Sequence, residues 1–75
     1  MATVRFHLNL IDTAGVKKEL FVDAKQPILL TTFLDQLGVP HDEVGIIVRN
    51  GKVCAIDCLI HEEDVVELFP ILSGG

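Results

Sequence analysis

The hydrophobic residues of this chain follow two periods, and only one short stretch has the period of a helix. In that stretch, apolar residues fall at positions i, i+3, i+4 and i+7, namely Leu30, Phe33, Leu34 and Leu37. This spacing is typical of one apolar helix face, here of about three turns. Elsewhere, as in residues 4–10 and 16–22, apolar and polar residues alternate, which is typical of a strand with one buried face. The sequence therefore predicts several strands organised around a single helix.

The first two strands are predicted to form an antiparallel hairpin. Residues 4–10 and 16–22 are separated by Asp12–Gly15, which has the composition of a turn. Phe21 then faces outward with the polar residues of its strand. The opposite face of that strand is directed at the core and carries Val16, Leu20 and Val22.

The middle of the chain has two strong stop signals. Gly38 suits the left-handed position that follows a helix, and Pro40 prevents the helix from continuing. Residues 46–48 are predicted to form a strand. Asn50-Gly51 is the strongest short hairpin signal, because both central positions of a type I′ turn require positive φ. Residues 53–56 form the predicted return strand.

The last part of the chain contains one more strand and a tail. After an acidic turn at residues 61–64, Val65 to Phe69 is predicted to form the last strand, which Pro70 stops. The element order is thus strand, strand, helix, strand, strand, strand, which suits one sheet covered by one helix, an α+β fold. Its 75 residues fit a single domain, residues 1–75, with 70–75 as an extended tail, and a chain of this size has little room for a catalytic cleft.

The charge of the chain limits its partners. Asp and Glu number 11 against 6 Lys and Arg, a formal net charge of -5. This is the wrong sign for nucleic acid or an anionic membrane surface, whereas it suits a basic protein partner. No apolar run approaches the roughly 20 residues of a membrane span. The sequence begins without the features of a signal peptide, so we expect a cytoplasmic protein.

The cysteines and histidines do not form a recognisable metal or redox motif. Cys54 and Cys58 have a C-x-x-x-C spacing, which is neither that of a zinc knuckle nor that of a thioredoxin-type pair. We interpret them as reduced thiols that pack as small hydrophobic residues. His7, His41 and His61 have no ligand spacing with them, and we expect no metal site.

Gly74-Gly75 at the end of the sequence is the feature with the clearest chemistry. Two residues without Cβ atoms can thread a channel too narrow for other residues. The α-carboxylate of Gly75 is ionised at neutral pH, and a partner enzyme can position it to attack the α-phosphate of ATP. The product, an acyl adenylate, is open to a sulfur or nitrogen nucleophile. The sequence has no glycine-rich phosphate loop, so the ATP must be bound by the partner.

The run from Asp64 to Gly75 resembles the C-terminus of the MoaD/ThiS family of ubiquitin-like sulfur carriers. It has an acidic turn, a hydrophobic strand, the Phe69-Pro70 step and the Gly-Gly end. The resemblance covers the whole chain in length and element order, with specific motifs at residues 50–52 and 64–75. Phe69-Pro70 is more like the small subunit of molybdopterin synthase than the thiamine carrier. Ile71-Leu72-Ser73 departs from that subunit, which more often has a second proline and smaller residues.

This resemblance implies a β-grasp fold, a mixed sheet of four to five strands with one helix on one face. It also implies a sulfur carrier for cofactor biosynthesis, with molybdopterin favoured over thiamine. An ATP-dependent enzyme of the ubiquitin-activating type would adenylate the Gly75 carboxylate, and a persulfide donor would convert it to a thiocarboxylate. A synthase subunit would then accept the sulfur. The carrier itself would bind no cofactor and would not be an enzyme.

The predicted partner-binding residues lie on the tail and on the sheet face opposite the helix. On the last strand, Val66 and Leu68 are predicted to be buried, which places Val65, Glu67 and Phe69 on the open face. Phe69 and Phe21 would then be exposed for docking. The alternative is that one or both side chains fold over the sheet edge and are half-buried. The full predicted set is Phe21, Phe69, Pro70, Ile71, Leu72, Ser73 and Gly74, with Gly75 as the reacting residue.

Two other functions are compatible with the Gly-Gly end and the predicted fold. A ubiquitin-like modifier would be joined to lysines of other proteins through the same activated Gly75 carboxylate, and the sequence does not distinguish it from a sulfur carrier. A β-grasp interaction domain would leave the Gly-Gly end without a chemical role.

Overall fold

A computed structural model describes residues 1–7 and 19–71 of the chain. The strands in this part are β1 (Ala2–Phe6), β2 (Glu19–Val22), β3 (Ile28–Leu29), β4 (Val44–Arg49), β5 (Lys52–Cys54), β6 (Leu59–Ile60) and β7 (Val65–Pro70). Helix α1 (Leu30–Leu37) follows β3, and a 3₁₀ turn (His41–Glu43) precedes β4. Several predicted features lie outside the described residues: Leu8 and Leu10 of the first strand, the turn Asp12–Gly15, Val16, and the tail residues Leu72, Ser73, Gly74 and Gly75.

Five of the strands form one mixed sheet in the order β2-β1-β7-β4-β5. β1 and β7 are parallel, whereas the other neighbours are antiparallel. This confirms the predicted α+β architecture and the hairpin between the first two strands. β3 and β6 form a separate antiparallel pair, which the sequence analysis missed because two residues are too few to show a period.

Helix α1 and the inner face of the sheet enclose the core. The helix contributes Leu30, Phe33 and Leu34, and the two central parallel strands contribute Val4, Phe6, Val66 and Leu68. Burial of each Leu or Phe side chain contributes about 1.5–3 kcal/mol. Leu37 packs against this core while half-buried. The predicted apolar face of the helix is therefore confirmed, and the opposite face of the sheet carries no helix among the described residues.

The ends of helix α1 depend on backbone contacts. Gly38 adopts the left-handed conformation at φ 77° and ψ 23°, as predicted. The helix has 8 residues, just over two turns at about 3.6 residues per turn, instead of the predicted three. It starts at Leu30, the first residue of the predicted apolar face, because Ile28 and Leu29 pair with β6. The N–H of Leu30 then donates to the carbonyl of Cys58 at 3.0 Å.

The Asn50-Gly51 turn joins β4 to β5 as predicted. Asn50 has φ 53° and Gly51 has φ 83°, the positive values that a type I′ turn needs. The return strand ends at Cys54, earlier than the predicted residue 56. It ends there because the chain turns back at once, with the N–H of Cys58 donating to the carbonyl of Ala55 at 3.1 Å.

β7 ends at Pro70, one residue later than predicted, and Pro70 is itself paired with Val44 and buried. A proline fits at the end of a strand when its ring nitrogen, which carries no hydrogen, faces no hydrogen-bond acceptor of the neighbouring strand. The carbonyl of Leu68 faces β1, where it accepts the N–H of His7 at 2.9 Å. Backbone groups two residues apart face the same side of a strand, so the ring nitrogen of Pro70 faces a position beyond Phe6, where β1 ends. Its lack of a donor therefore breaks no bond between these two strands.

Asp64 links the acidic turn to the Asn50-Gly51 turn. Its carboxylate accepts hydrogen bonds from Asn50 Nδ2 and from the N–H of His61, both at 2.8 Å. Asn50 Oδ1 in turn accepts the N–H of Val65 at 2.9 Å. Partial burial raises the pKa of Asp64, but these hydrogen bonds outweigh it, and the pKa lies below its ordinary value.

We expect acid to destabilise the fold partly through Asp64. Because its pKa is lower in the folded chain than in the unfolded chain, its contribution is complete above the unfolded pKa of about 3.9 and is lost as the pH falls through the folded value. Urea unfolding between neutral pH and strong acid should show a smaller acid loss for Asp64→Asn than for the unchanged chain. Equal losses in the two proteins would contradict this role of Asp64.

Candidate functional site at the base of the C-terminal tail

Strand β7 leads from the centre of the sheet to the tail. It lies between β1 and β4, so its direction is set on both sides. After the strand, the N–H of Ile71 donates to the carbonyl of Glu43 at 3.1 Å, while the Ile71 side chain is exposed. Of the predicted tail residues, Phe69, Pro70 and Ile71 thus have fixed positions, and the chain leaves the sheet beside the 3₁₀ turn.

Gly45 allows β4 to approach the base of the tail closely. A Cβ at this position would lie 2.9 Å from the carbonyl oxygen of Pro70 and 3.0 Å from the Cα of Ile71. These are backbone atoms, which cannot rotate away as the end of a side chain can. The pairing of β4 with β7 also shifts register between Val44 and Ile46, as expected at a bulge. Gly45 therefore determines how near the tail passes to β4.

Phe69 lies on the open face, as predicted, but is half-buried instead of exposed. The ring of His7 covers it, with ring centroids 4.4 Å apart and an interplanar angle of 7°. His7 Nε2 lies 3.0 Å from Glu67 Oε1, which holds the imidazole in place. Phe69 is covered because β1 and β7 are neighbours and His7 projects from the same face. Stacking of this kind contributes about 0.5–1.5 kcal/mol beyond burial.

An apolar patch adjoins Phe69 on the open face. Ile46 pairs with Phe69, and Val48 pairs with Val53 across β4 and β5. Ile46 is 50% exposed, and Val53 is more exposed still. We define the tail-base patch as Ile46, Val48, Val53 and Phe69. It is an apolar surface on the open face, in which Phe69 and Ile46 lie next to the tail and Val48 and Val53 lie nearer the Asn50-Gly51 turn.

Phe21 is exposed, as predicted, with 64% of its surface accessible. It pairs with Thr3, which pairs in turn with Val65. Phe69 is four residues further along β7, about 13 Å along the strand at roughly 3.3 Å per residue. The ion pair of Arg5 with Glu19, at 2.7 Å, also lies on this face. The structure therefore does not bring Phe21 together with Phe69.

A small concavity lies near this face. It has a volume of about 260 Å³ and is lined by Arg5, Phe6, His7 and Glu19. Pockets that hold small molecules begin at about 300 Å³. Within residues 1–7 and 19–71, no group of three or more His, Cys, Asp or Glu side chains converges as metal ligands would. None of the helices in this part is long and apolar enough to cross a bilayer.

The sequence did not point to five residues of this site, namely His7, Gly45, Ile46, Val48 and Val53. Gly45 lies between Val44 and Ile46, and a glycine inside a strand pattern is a signal for a bulge or a close approach. Ile46 was assigned to a strand, but its face depends on the register shift at Gly45. His7 gave no local signal for its contact with Glu67, because the two residues are 60 positions apart.

A family model described as Mut7-C ubiquitin matches residues 1–74. The match thus includes the whole sheet, the helix and most of the tail. A comparison with curated protein sequences finds no match.

Two solved structures share the fold. One is the crystal structure of SAMP1 from Haloferax volcanii, with a TM-score of 0.68 and 22% identity, covering 99% of this chain and 98% of that chain. The other is a putative molybdopterin converting factor, subunit 1, from Pyrococcus furiosus, with a TM-score of 0.66 and 19% identity, covering 95% of this chain and 97% of that chain. The predicted resemblance to ubiquitin-like MoaD-type proteins and the predicted β-grasp fold are thereby confirmed.

Proposed function

Because this chain belongs to the Mut7-C ubiquitin family, we propose that it is a ubiquitin-like sulfur carrier whose reacting group is the α-carboxylate of Gly75. The observation that carries the proposal is the base of the tail, where Gly45 lies against the backbone of Pro70 and Ile71 and the Glu43 carbonyl accepts the N–H of Ile71, which fixes the point at which the tail begins. The sequence Ser73-Gly74-Gly75 continues from this point. The proposal requires that Gly75 is the C-terminal residue of the functional protein, which the intact mass of the protein purified from cells would test.

In the proposed cycle, the chain supplies position and its partners supply the catalytic groups. A ubiquitin-activating-type enzyme binds ATP and places its α-phosphate against the Gly75 carboxylate. Attack by the carboxylate oxygen releases pyrophosphate and forms the acyl adenylate. A persulfide sulfur then displaces AMP, and reduction of the resulting acyl disulfide by a thiol leaves the thiocarboxylate. The thiocarboxylate sulfur then attacks the substrate of an acceptor enzyme and displaces a leaving group, and water cleaves the bond between the sulfur and the Gly75 carbonyl carbon, which returns the carboxylate.

The tail-base patch is the proposed docking surface for these partners. Exposed apolar residues are costly to leave in water, and apolar contacts are concentrated at the centres of protein interfaces. The patch adjoins the departing tail, so a partner bound there would meet the tail directly. Phe21 contacts the same partner in this proposal only if the partner covers the full width of the sheet.

The recipient of the sulfur is proposed to be a molybdopterin precursor bound to a synthase subunit. The structural relative described as a molybdopterin converting factor subunit supports this choice over thiamine. ATP is used by the activating partner, and the carrier binds no cofactor of its own. A cytoplasmic location remains a prediction from the sequence.

Mass spectrometry of the intact chain tests the proposal. The chain is incubated with a candidate activating enzyme, ATP and a persulfide donor, beside a carrier known to be converted. The expected result is replacement of one oxygen by sulfur, with the added mass confined to the C-terminal peptide. If the reference carrier is converted by its own enzyme and this chain is converted by none of the activating enzymes of its source cell, the proposal is wrong.

A charge placed in the tail-base patch should weaken docking. We expect Ile46→Asp to reduce affinity for the activating enzyme about tenfold or more, because a desolvated carboxylate would face an apolar surface. Leu59→Asp is the matched control, since Leu59 is 42% exposed but lies on the two-stranded sheet. Affinities are measured by titration calorimetry. Equal losses for the two variants would exclude the patch as the docking surface.

A protein modifier is the second candidate. It is favoured by the family description and by the fold, both of which are ubiquitin-like, since ubiquitin is joined to lysines through an activated C-terminal glycine. Immunoblots of lysate would show a ladder of adducts that thiol reagents do not remove. A sulfur carrier should give no such ladder. If the chain is only an interaction domain, blocking its C-terminus should leave its activity unchanged.

A further inference from the structure

Cys54 and Cys58 are brought into direct contact by the turn that ends β5. Their sulfur atoms lie 3.2 Å apart, and both are free thiols that are half-buried against the core. The intervening residues form a hydrogen-bonded turn through Cys58 N–H and the Ala55 carbonyl. A disulfide needs a sulfur separation of about 2.05 Å. The remaining approach of roughly 1 Å is within the reach of small side-chain rotations.

The backbone around the pair is held on both sides. Cys54 pairs with Ile47 of β4, and the carbonyl of Cys58 accepts the first N–H of helix α1 from Leu30. The guanidinium of Arg49 is anchored nearby, with Nη1 donating to the carbonyl of Leu59 at 2.7 Å. Burial raises the pKa of the Cys58 thiol, and the positive charge of Arg49 offsets this only in part. Two thiols that the backbone holds in contact form a preorganised dithiol, which favours the second, intramolecular step of thiol–disulfide exchange.

We propose that Cys54 and Cys58 form a reversible dithiol–disulfide couple that exchanges with low-molecular-weight disulfides such as oxidised glutathione. This site is separate from the tail, because Cys54 lies on the core-facing side of β5. The proposal does not depend on the function of Gly75. In a reducing compartment the dithiol form predominates, and the disulfide forms when the small-thiol pool becomes oxidised.

The exchange balances in two steps. The Cys54 thiolate attacks one sulfur of the small disulfide, whose S–S bond breaks, and one small thiolate leaves and takes up a proton. Cys58 then loses its proton and attacks the Cys54 sulfur, which expels the second small thiolate. The protein loses two electrons and two protons, and the small disulfide becomes two thiols. Cys54 is assigned the first attack because desolvation raises the pKa of the Cys58 thiol to about 11, so its thiolate is scarce.

The test uses the full chain equilibrated in glutathione buffers of increasing oxidised fraction. Samples are quenched in acid, alkylated with N-ethylmaleimide and weighed. We expect a species with two maleimides to be replaced by one with none, lighter than the unmodified chain by two hydrogens, and dithiothreitol should reverse the change. Doubly glutathionylated chains, disulfide-linked dimers as the main product, or two alkylatable thiols in the most oxidising buffer would each overturn the proposal.

Serine variants test the order of attack. Cys58→Ser should stop at a mixed disulfide with one glutathione, because the second nucleophile is missing. Cys54→Ser should react severalfold more slowly than Cys58→Ser, because Cys58 then has to attack first and its burial, which raises the pKa of its thiol, does not depend on Cys54. Circular dichroism of both variants shows whether they fold. The glutathione titration of the unchanged chain tests the couple even if a variant does not fold. Equal rates for the two folded variants would contradict the assignment of Cys54.

Discussion

Removal of Gly75 is expected to abolish conversion of the chain to a thiocarboxylate and to leave its thermal unfolding midpoint unchanged. The deletion shortens the tail by one residue, about 3.3–3.6 Å of extended chain. A carboxylate withdrawn by that distance no longer reaches the α-phosphate, and a displacement of about 1 Å can already cost about 100-fold in rate. The core residues nearest the tail in sequence, Leu68 and Pro70, are untouched, so the fold should be retained.

Two measurements separate the chemistry from the fold. Conversion is followed by intact mass with activating enzyme, ATP and a persulfide donor, and unfolding is followed by circular dichroism. A chain lengthened by one glycine is the second variant, and its conversion should also be lost because the carboxylate is displaced in the other direction. Conversion of the shortened chain at the rate of the full chain would show that Gly75 is not the reacting residue.

Gly45→Ala is expected to lower the free energy of unfolding by about 1–3 kcal/mol, the usual cost of inserting a methyl group where no space exists. The new Cβ would lie 2.9 Å from the Pro70 carbonyl oxygen and 3.1 Å from the Ile71 nitrogen. Either β4 or the base of the tail must move, and the hydrogen bond from Ile71 to Glu43 joins the same two segments. We therefore also expect conversion at Gly75 to slow by about tenfold or more.

Gly51→Ala is the matched control for this prediction. A Cβ at Gly51 meets no atom within 4 Å, but its φ of 83° is unfavourable for alanine, at a cost of about 1–2 kcal/mol. The two variants thus make the same chemical change at a similar cost in stability, and only Gly45 contacts the tail. Urea unfolding measures stability, and conversion is compared at a temperature where both are folded. If the two variants are converted equally fast, Gly45 does not position the tail.

The parts of the fold that the sequence predicted well have local causes. The spacing from Leu30 to Leu37 and the stop at Gly38 depend on residues within one or two helical turns. The Asn50-Gly51 turn depends on two adjacent positions whose φ values are restricted. Each of these signals comes from the geometry of neighbouring residues, so it is present before any tertiary contact forms.

The candidate site could be predicted only in part. The alternation along β7 correctly separated Val66 and Leu68 from Phe69, because side chains two residues apart share a face. The exposure of Phe69 was predicted wrongly, because it depends on His7, which comes from the other end of the chain. Pro70 ends the strand, as expected, but the sequence did not predict that Pro70 itself would be part of the strand, because this depends on where β1 stops beside it. Both features depend on strand β1, and a local sequence pattern in β7 carries no information about which strand lies beside it.

The sequence by itself determined helix α1 and the five strands of the main sheet, which faces are apolar, and where the turns at Gly38 and Asn50-Gly51 fall. Only the tertiary structure decided that His7 covers Phe69, that Gly45 touches the base of the tail, and that Cys54 meets Cys58. The physical reason is that periodicity and turn preference arise within a few residues, whereas these contacts follow from strand order, register and the path of a turn. The parallel pairing of β1 with β7 joins the two ends of the chain, and that pairing places His7 beside the strand that leads to the tail.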